Sequence, residues 1–252
     1  MAELGQEIGK FRLFGAFIRL LFLQGLLNRR GMQNLGLVSA LSPATKVFDG
    51  FTDRTILLKH LSFFNCNPNF TPLVVGGVLK LEEEKRAGKP ISDEDIEYFK
   101  RALTGPLAAM GDMLFIGNLK PLALTFACIF AIYKLPLGLL AVFLLYNIAI
   151  ISCRLWGIYF GYAKGWELVD FFSGSEFQKV LSIVEGASAS VGGVLLGVLF
   201  YRFPQNGQTT LALAGILTAV TLYLLRRDVP ASWVAIILFP TTAFIALLIG
   251  QD

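Results

Sequence analysis

The chain has 252 residues, of which 55% are hydrophobic and only 16% charged, and its mean hydropathy is +0.63. Soluble domains carry about 25% charge and about 45–50% apolar residues, so the composition is that of a membrane protein and argues against a self-contained soluble enzyme. A net charge of +4 is too mild for nucleic acid to be the main partner. Residues 1–102 hold 14 of the 22 Lys/Arg and 11 of the 18 Asp/Glu, which leaves a charged first part and an oily second part.

One histidine and three cysteines narrow the chemistry. Cys66, Cys128 and Cys153 form no C-x-x-C pair, so the close ligand pairs of a structural zinc site are absent, and an odd, irregular cysteine set is no disulfide framework. Neither a phosphate-binding G-x-x-x-x-G-K-[ST] loop nor a dinucleotide fingerprint occurs. No metal, cofactor or catalytic cluster is expected.

Phe11–Leu27 is apolar but interrupted by Arg12 and Arg19, and no small-residue cleavage site follows, so it does not read as a cleavable signal. The two arginines are seven apart and share a helix face, with Phe14, Phe17, Ile18, Leu21 and Phe22 on the rest. That pattern suits either a helix lying in the membrane interface or one packed on the body of the protein. Residues 52–103 read as three helices. In Thr52–Phe64, Ile56, Leu57, His60, Leu61 and Phe64 share one face, and Asn65-Cys66-Asn67-Pro68 stops the helix because a residue before proline avoids the α region. Pro72–Ala87 is the second helix, closed by Gly88. Ser92 with Asp95 forms a capping box for the third, which reaches about Leu103.

Leu103–Leu119 is apolar yet carries Gly105, Pro106, Gly111, Gly117 and Asn118, with Asp112 in the middle. Such breakers predict an interrupted membrane segment whose freed backbone lines protein or a wet cavity, the construction found in transporter binding sites. A tight turn between two ordinary helices is the alternative. Pro121–Tyr133 needs residues from before Lys120 to span a bilayer, whereas Leu135–Cys153 gives 19 residues, Ala187–Tyr201 15, Thr209–Leu225 17 and Val229–Gly250 22. The working count is about five crossings. With the N-terminus inside, cytoplasmic segments hold 20 Lys/Arg and external ones only Lys134 and Arg202, which favours N-in and C-out. The expected fold is therefore an all-α integral membrane protein, with a charged helical region at 1–102 and a membrane-embedded region at 103–252.

Gly157, Gly161 and Gly165 recur every fourth residue, as do Gly193 and Gly197. That spacing lets helix backbones approach closely and offers surfaces for an obligate membrane partner. A carboxylate in a membrane segment costs about 2.5–3.5 kcal/mol on insertion scales and so has a partner or a task. Asp112 is the best case, with Lys120 as the possible ion-pair partner, and Glu185 is read as a helix cap. His60 reads as a satisfied buried histidine, since a single histidine without partners runs no nucleophilic mechanism. Cys66 would be an activated thiol only beside a cation. Asn65 and Asn67 flank it and could donate to a polyol ligand or cap the helix.

Several segments occur in a telling order: Phe22-Leu23-Gln24-Gly25, Met32-Gln33-Asn34-Leu35-Gly36, His60-Leu61-Ser62-Phe63-Phe64-Asn65, Leu81-Glu82-Glu83-Glu84-Lys85, Gly105-Pro106-Leu107-Ala108-Ala109-Met110-Gly111-Asp112, Tyr159-Phe160-Gly161-Tyr162-Ala163-Lys164-Gly165 and Glu185-Gly186-Ala187-Ser188. From about Phe11 to the C-terminus the chain resembles the IID component of the mannose/fructose/sorbose family of the bacterial phosphotransferase system. The resemblance implies a multi-pass inner-membrane subunit, non-catalytic itself, that works with a IIC subunit in an oligomeric complex. Together they would translocate a hexose-type sugar, phosphorylated during uptake by way of the IIA and IIB proteins. On this reading Asp112, Asn65, Asn67 and Asn118 are the candidate substrate-pathway residues. The chain departs from the family at Met113, Ile116 and Asn118, where Gly-Asp-Pro then Leu/Ile-Phe-Trp-Gly-Thr is common. It departs again at Cys66-Asn67 and in the short polar stretch 202–208. A regulatory or docking protein of the same descent, binding phosphotransferase proteins without moving sugar, is the alternative.

Overall fold

The structure is a computed structural model that describes residues 8–49 and 54–173, with isolated residues beyond them. The chain divides into two compact units, Met1–Gly192 and Gly193–Asp252, and everything below belongs to the first. The predicted crossings at 187–201, 209–225 and 229–250, together with Glu185, Gly197 and the stretch 202–208, lie outside the described residues but for isolated positions.

The described residues form α1 (Lys10–Leu20), α2 (Asn34–Asp49), α3 (Arg54–Lys59), α4 (Thr71–Arg86), α5 (Asp93–Gly111), a π-helix (Asp112–Leu119), α6 (Lys120–Ile132), α7 (Pro136–Lys164) and α8 (Leu168–Ser173), with short 3-10 turns at Leu23–Leu26 and Gly165–Glu167. Among these residues no strand occurs; two isolated bridges, Asn28 with Met32 and Met32 with Phe64, tie the turn before α2 to the loop after α3. The all-helical architecture follows the sequence expectation.

At the centre is α4, buried on nearly every side from Thr71 to Glu83. A helix apolar all round has to be an interior one, and two adjacent glycines let its neighbours come close. A Cβ on Gly76 would lie 2.3 Å from the Ile158 carbonyl oxygen, and one on Gly161 2.2 Å from that of Leu73, so α4 and α7 touch backbone to backbone. On the other side the Phe99 ring of α5 lies over Gly77. Gly157 and Gly161, expected to face a partner, are thus buried within the chain against α4. Gly165 instead ends α7 with φ of +51°, a conformation that favours glycine.

Pro43 inside α2 has no N–H to give the Ser39 carbonyl, and Arg19 Nη1 donates to that oxygen instead at 3.3 Å, while Arg12 Nη1 donates to Pro43 O at 3.2 Å. The shared face of the two arginines therefore meets α2. Leu13, Ala16, Phe17 and Leu20 bury the adjoining face.

The capping box at Ser92 and Asp95 is present. The helix it opens does not stop near Leu103. It continues through Pro106 to Gly111 and passes without interruption into the π-helix and α6, giving a 40-residue helical run, Asp93–Ile132. The expected break at Leu103–Leu119 is a widening instead. In a π-helix the N–H bonds five residues back, and the Asn118 side chain supports this by donating Nδ2 to the Met113 carbonyl at 2.9 Å. Similarly, α7 does not end at Cys153 but runs to Lys164. The runs Asp93–Ile132 and Pro136–Phe172 are both long and apolar enough to cross a membrane, and their most apolar stretches are almost wholly exposed. A turn at Tyr133–Leu135 joins them, with Lys134 in the left-handed region at φ 53°.

Candidate functional site

The loop Asn65–Phe70 between α3 and α4 meets the start of the π-helix on one side and α7 on the other. Pro68 prevents the chain from coiling there, and Asn67 organises what remains. Its carbonyl accepts from the N–H groups of Phe70 and Thr71 and from Thr71 Oγ1, which opens α4, and its Oδ1 accepts from Asn69 N–H at 2.9 Å. The Asn67 Nδ2 group donates to Asp112 Oδ1 at 2.8 Å. From α7, Arg154 Nε donates to Asn69 Oδ1 at 2.8 Å. A chain of hydrogen bonds therefore runs Asp112–Asn67–Asn69–Arg154, joining the two long apolar helical runs by way of the loop. Asn67 and Asn69 are buried, Arg154 is half-buried and the Asp112 side is exposed.

Close packing holds the group together. Gly111 lies directly against Asn67, where a Cβ would stand 2.4 Å from that of the asparagine. Phe115, one of two buried residues of the π-helix, meets the Phe70 ring edge-on at 5.4 Å. Asn118 is buried on the same π-helix and donates along it, to Met113. Asn65 is exposed and stands apart from it. Asp112 takes its hydrogen bond from Asn67 and forms no ion pair with Lys120.

Two residues were missed. Asn69 lies one residue past Pro68 and was passed over. Arg154 falls just past the apolar run Leu135–Cys153, although α7 continues through it to Lys164. The rule that singled out Asp112, a charge inside a membrane helix, would have found it had that helix been carried to its glycine stop at Gly165.

Cys66 is buried 3% exposed, and burial pushes its thiol up to about 12, the opposite of an activated nucleophile. His60 is also buried, and its Nε2 lies 3.1 Å from Glu82 Oε1. Among the described residues its Nδ1 has no hydrogen-bond partner, so the expected satisfied histidine is only half satisfied there. Among the described residues no group of three or more His, Cys, Asp or Glu side chains could hold a metal ion.

The segments that bear the resemblance, scattered through the sequence, converge in space. Those at Gly105–Asp112 and Leu81–Lys85 meet the loop after α3 through Asp112–Asn67 and Glu82–His60, and Tyr159–Gly165 meets α4 through Gly161 and through Tyr162, whose hydroxyl donates to Glu83. A family model for the mannose/fructose/sorbose IID component of the phosphotransferase system (PTS) matches residues 7–226. The chain belongs to this family. Its IID relatives include the sorbose-specific EIID component of Lacticaseibacillus casei, 32% identical over 90% of this chain and 89% of the relative. The mannose-specific EIID component of Escherichia coli K12 is 32% identical over 75% of this chain and 66% of the relative, and the fructose permease IID component of Bacillus subtilis is 32% identical over 80% and 72%. Among solved structures, one described as a membrane protein superposes with a TM-score of 0.76 at 26% identity, covering 97% of this chain and 98% of that one. The mannose transporter ManYZ in complex with microcin E492, solved by cryo-electron microscopy, gives 0.61 at 26% identity with the same coverage. This IID chain is accordingly a membrane protein and a component of a sugar transporter complex.

Proposed function

We propose that the chain is a non-catalytic permease subunit which, with a IIC partner, moves a hexose-type sugar across the bacterial inner membrane, coupled to phosphorylation by the IIA and IIB proteins. The observation that carries this reading is the chain Asp112–Asn67–Asn69–Arg154. A carboxylate, two amides and a guanidinium are the groups that bind sugar hydroxyls, and here they sit where two apolar helical runs are bridged by non-helical backbone. Asp112 keeps one carboxylate oxygen outside its bond to Asn67, and the side chain is exposed. In a membrane protein an exposed carboxylate has to meet a polar cavity or a partner subunit. Asn65 and Asn118 flank this group and belong to the same pathway.

The test is uptake of labelled sugar by cells expressing the chain with its IIC, IIA and IIB partners. Asp112→Asn keeps a hydrogen-bonding side chain and should retain part of the uptake, whereas Asp112→Leu should abolish nearly all of it. Lys120→Met should leave uptake near the wild-type level, because Asp112 pairs with Asn67. Normal uptake with Asp112→Leu at wild-type protein levels would remove the site from the mechanism. Association with phosphotransferase proteins without any uptake would favour the docking reading instead.

A further inference from the structure

The first helix has three faces. Leu13, Ala16, Phe17 and Leu20 are buried, and Arg12 and Arg19 bond the carbonyls of α2. The third face carries Phe11, Phe14, Ile18 and Leu21, which at 100° per residue fall in one stripe and continue into Phe22 beyond the helix. All five are exposed, Phe11 to 88% and Phe22 to 69%. Among the described residues nothing covers this stripe, yet the helix beneath it is held firmly. Tyr159 of α7 donates its hydroxyl proton to Lys10 O at 3.2 Å, and Ile8 N–H donates to the buried Glu83 at 2.7 Å. The stripe is thus fixed to a helix long and apolar enough to cross the membrane.

Charge says what covers it. From Ile8 to Phe48 the sequence contains six basic residues and no acidic one. Arg12 and Arg19 are engaged with α2, while Lys10 at one end of the stripe and Arg29-Arg30 just past the other are exposed and form no ion pair with a described residue. An apolar stripe with an unpaired cation at its start and two more in the turn that follows it in sequence matches the boundary of a bilayer with anionic headgroups, where the acyl region takes the aromatic side chains and the phosphates take the cations.

We propose that α1 lies in the membrane interface with Phe11, Phe14, Ile18, Leu21 and Phe22 inserted, and that Lys10, Arg29 and Arg30 recognise anionic phospholipid headgroups there. This function is separate from sugar passage, and its test reads lipid contact rather than uptake.

The full chain, carrying Cys128→Ser, Cys153→Ser and Ile18→Cys, is labelled with bimane and reconstituted in phosphatidylcholine vesicles doped with nitroxide-bearing phosphatidylglycerol or phosphatidylcholine. The native Cys66 is buried and stays unlabelled. Both nitroxide lipids should quench the label more than aqueous iodide does, and the phosphatidylglycerol form more than the phosphatidylcholine form. Arg29→Gln and Arg30→Gln should each lower that preference by about 5-fold at low salt. Phe11→Cys repeats the measurement at the other end of the stripe. A label quenched by iodide and not by lipid would place the face in water and overturn the proposal. Equal quenching by the two lipids would overturn the headgroup recognition. A label shielded from both lipid and iodide when the IIC partner or a second copy is present would make the face a protein interface.

Discussion

A methyl group on Gly111 would stand 2.4 Å from Cβ of Asn67, and neither backbone can yield without pulling Asn67 away from Asp112. Gly111→Ala should therefore cost about 1–3 kcal/mol, the range of an overpacked contact, and should lower uptake along with melting temperature. Gly105→Ala is the control in the same helix, since a Cβ there meets nothing within 4 Å. It should be neutral or stabilising by about 0.5–1 kcal/mol. Melting of the detergent-solubilised variants separates the two. Glu83 gives the pH dependence. Burial raises its carboxyl pKa, but the Tyr162 hydroxyl, Lys80 and the Ile8 N–H together more than offset this and hold it below the ordinary 4.5. A lowered folded value means that the contribution is present above about 4.5 and fades as pH falls through the folded value. Glu83→Gln should thus destabilise the protein at neutral pH, and its deficit relative to wild type should shrink in acid. A deficit of equal size at pH 7 and at pH 3 would contradict the assignment. Both residues of the central bond, Asp112 and Asn67, were legible singly, one as a charge in an apolar run and one beside a helix stop. Their pairing was not, because they are 45 positions apart and only folding brings them together.

Helices show where pattern reading succeeds and where it misleads. The start of α5 and the end of α4 were readable because a capping box and a glycine stop act within a few residues. Gly105, Pro106, Gly111 and Gly117 predicted a break between 103 and 119, yet the helix absorbs Pro106 and turns its surplus residue into a π-helix that the Asn118 amide secures. A break and a π-turn arise from the same local cause, loss of the bond four residues back, and composition does not distinguish them. The glycine repeat of α7 was legible as a packing face, but its partner proved to be α4 of the same chain. Gly161 and Gly157 therefore differ in what they tolerate. A Cβ on Gly161 would meet the Leu73 carbonyl oxygen at 2.2 Å, whereas one on Gly157 finds its nearest atoms at 3.5 Å. Gly161→Ala should lose about 1–3 kcal/mol or more, and Gly157→Ala should lose little. Equal melting temperatures for the two would rule out the backbone-to-backbone contact.

For the molecule as a whole, the count of 20 basic residues against 2 makes orientation testable across its length. In spheroplasts, Lys134→Cys in a Cys128→Ser background should react with a membrane-impermeant maleimide. A reporter fused after Asp252 should be active on the external side. Labelling of residue 134 only after lysis would reverse the assignment. The turn that carries Lys134 also bears on how the protein enters the bilayer at all. It spans only Tyr133–Leu135, too little chain for one helix to become lodged while the other waits outside. On the orientation with residue 134 outside, the apolar parts of α6 and α7 would enter the bilayer together, as one hairpin. Lys134 at its tip would then be the one charge between the two apolar stretches that has to cross with them.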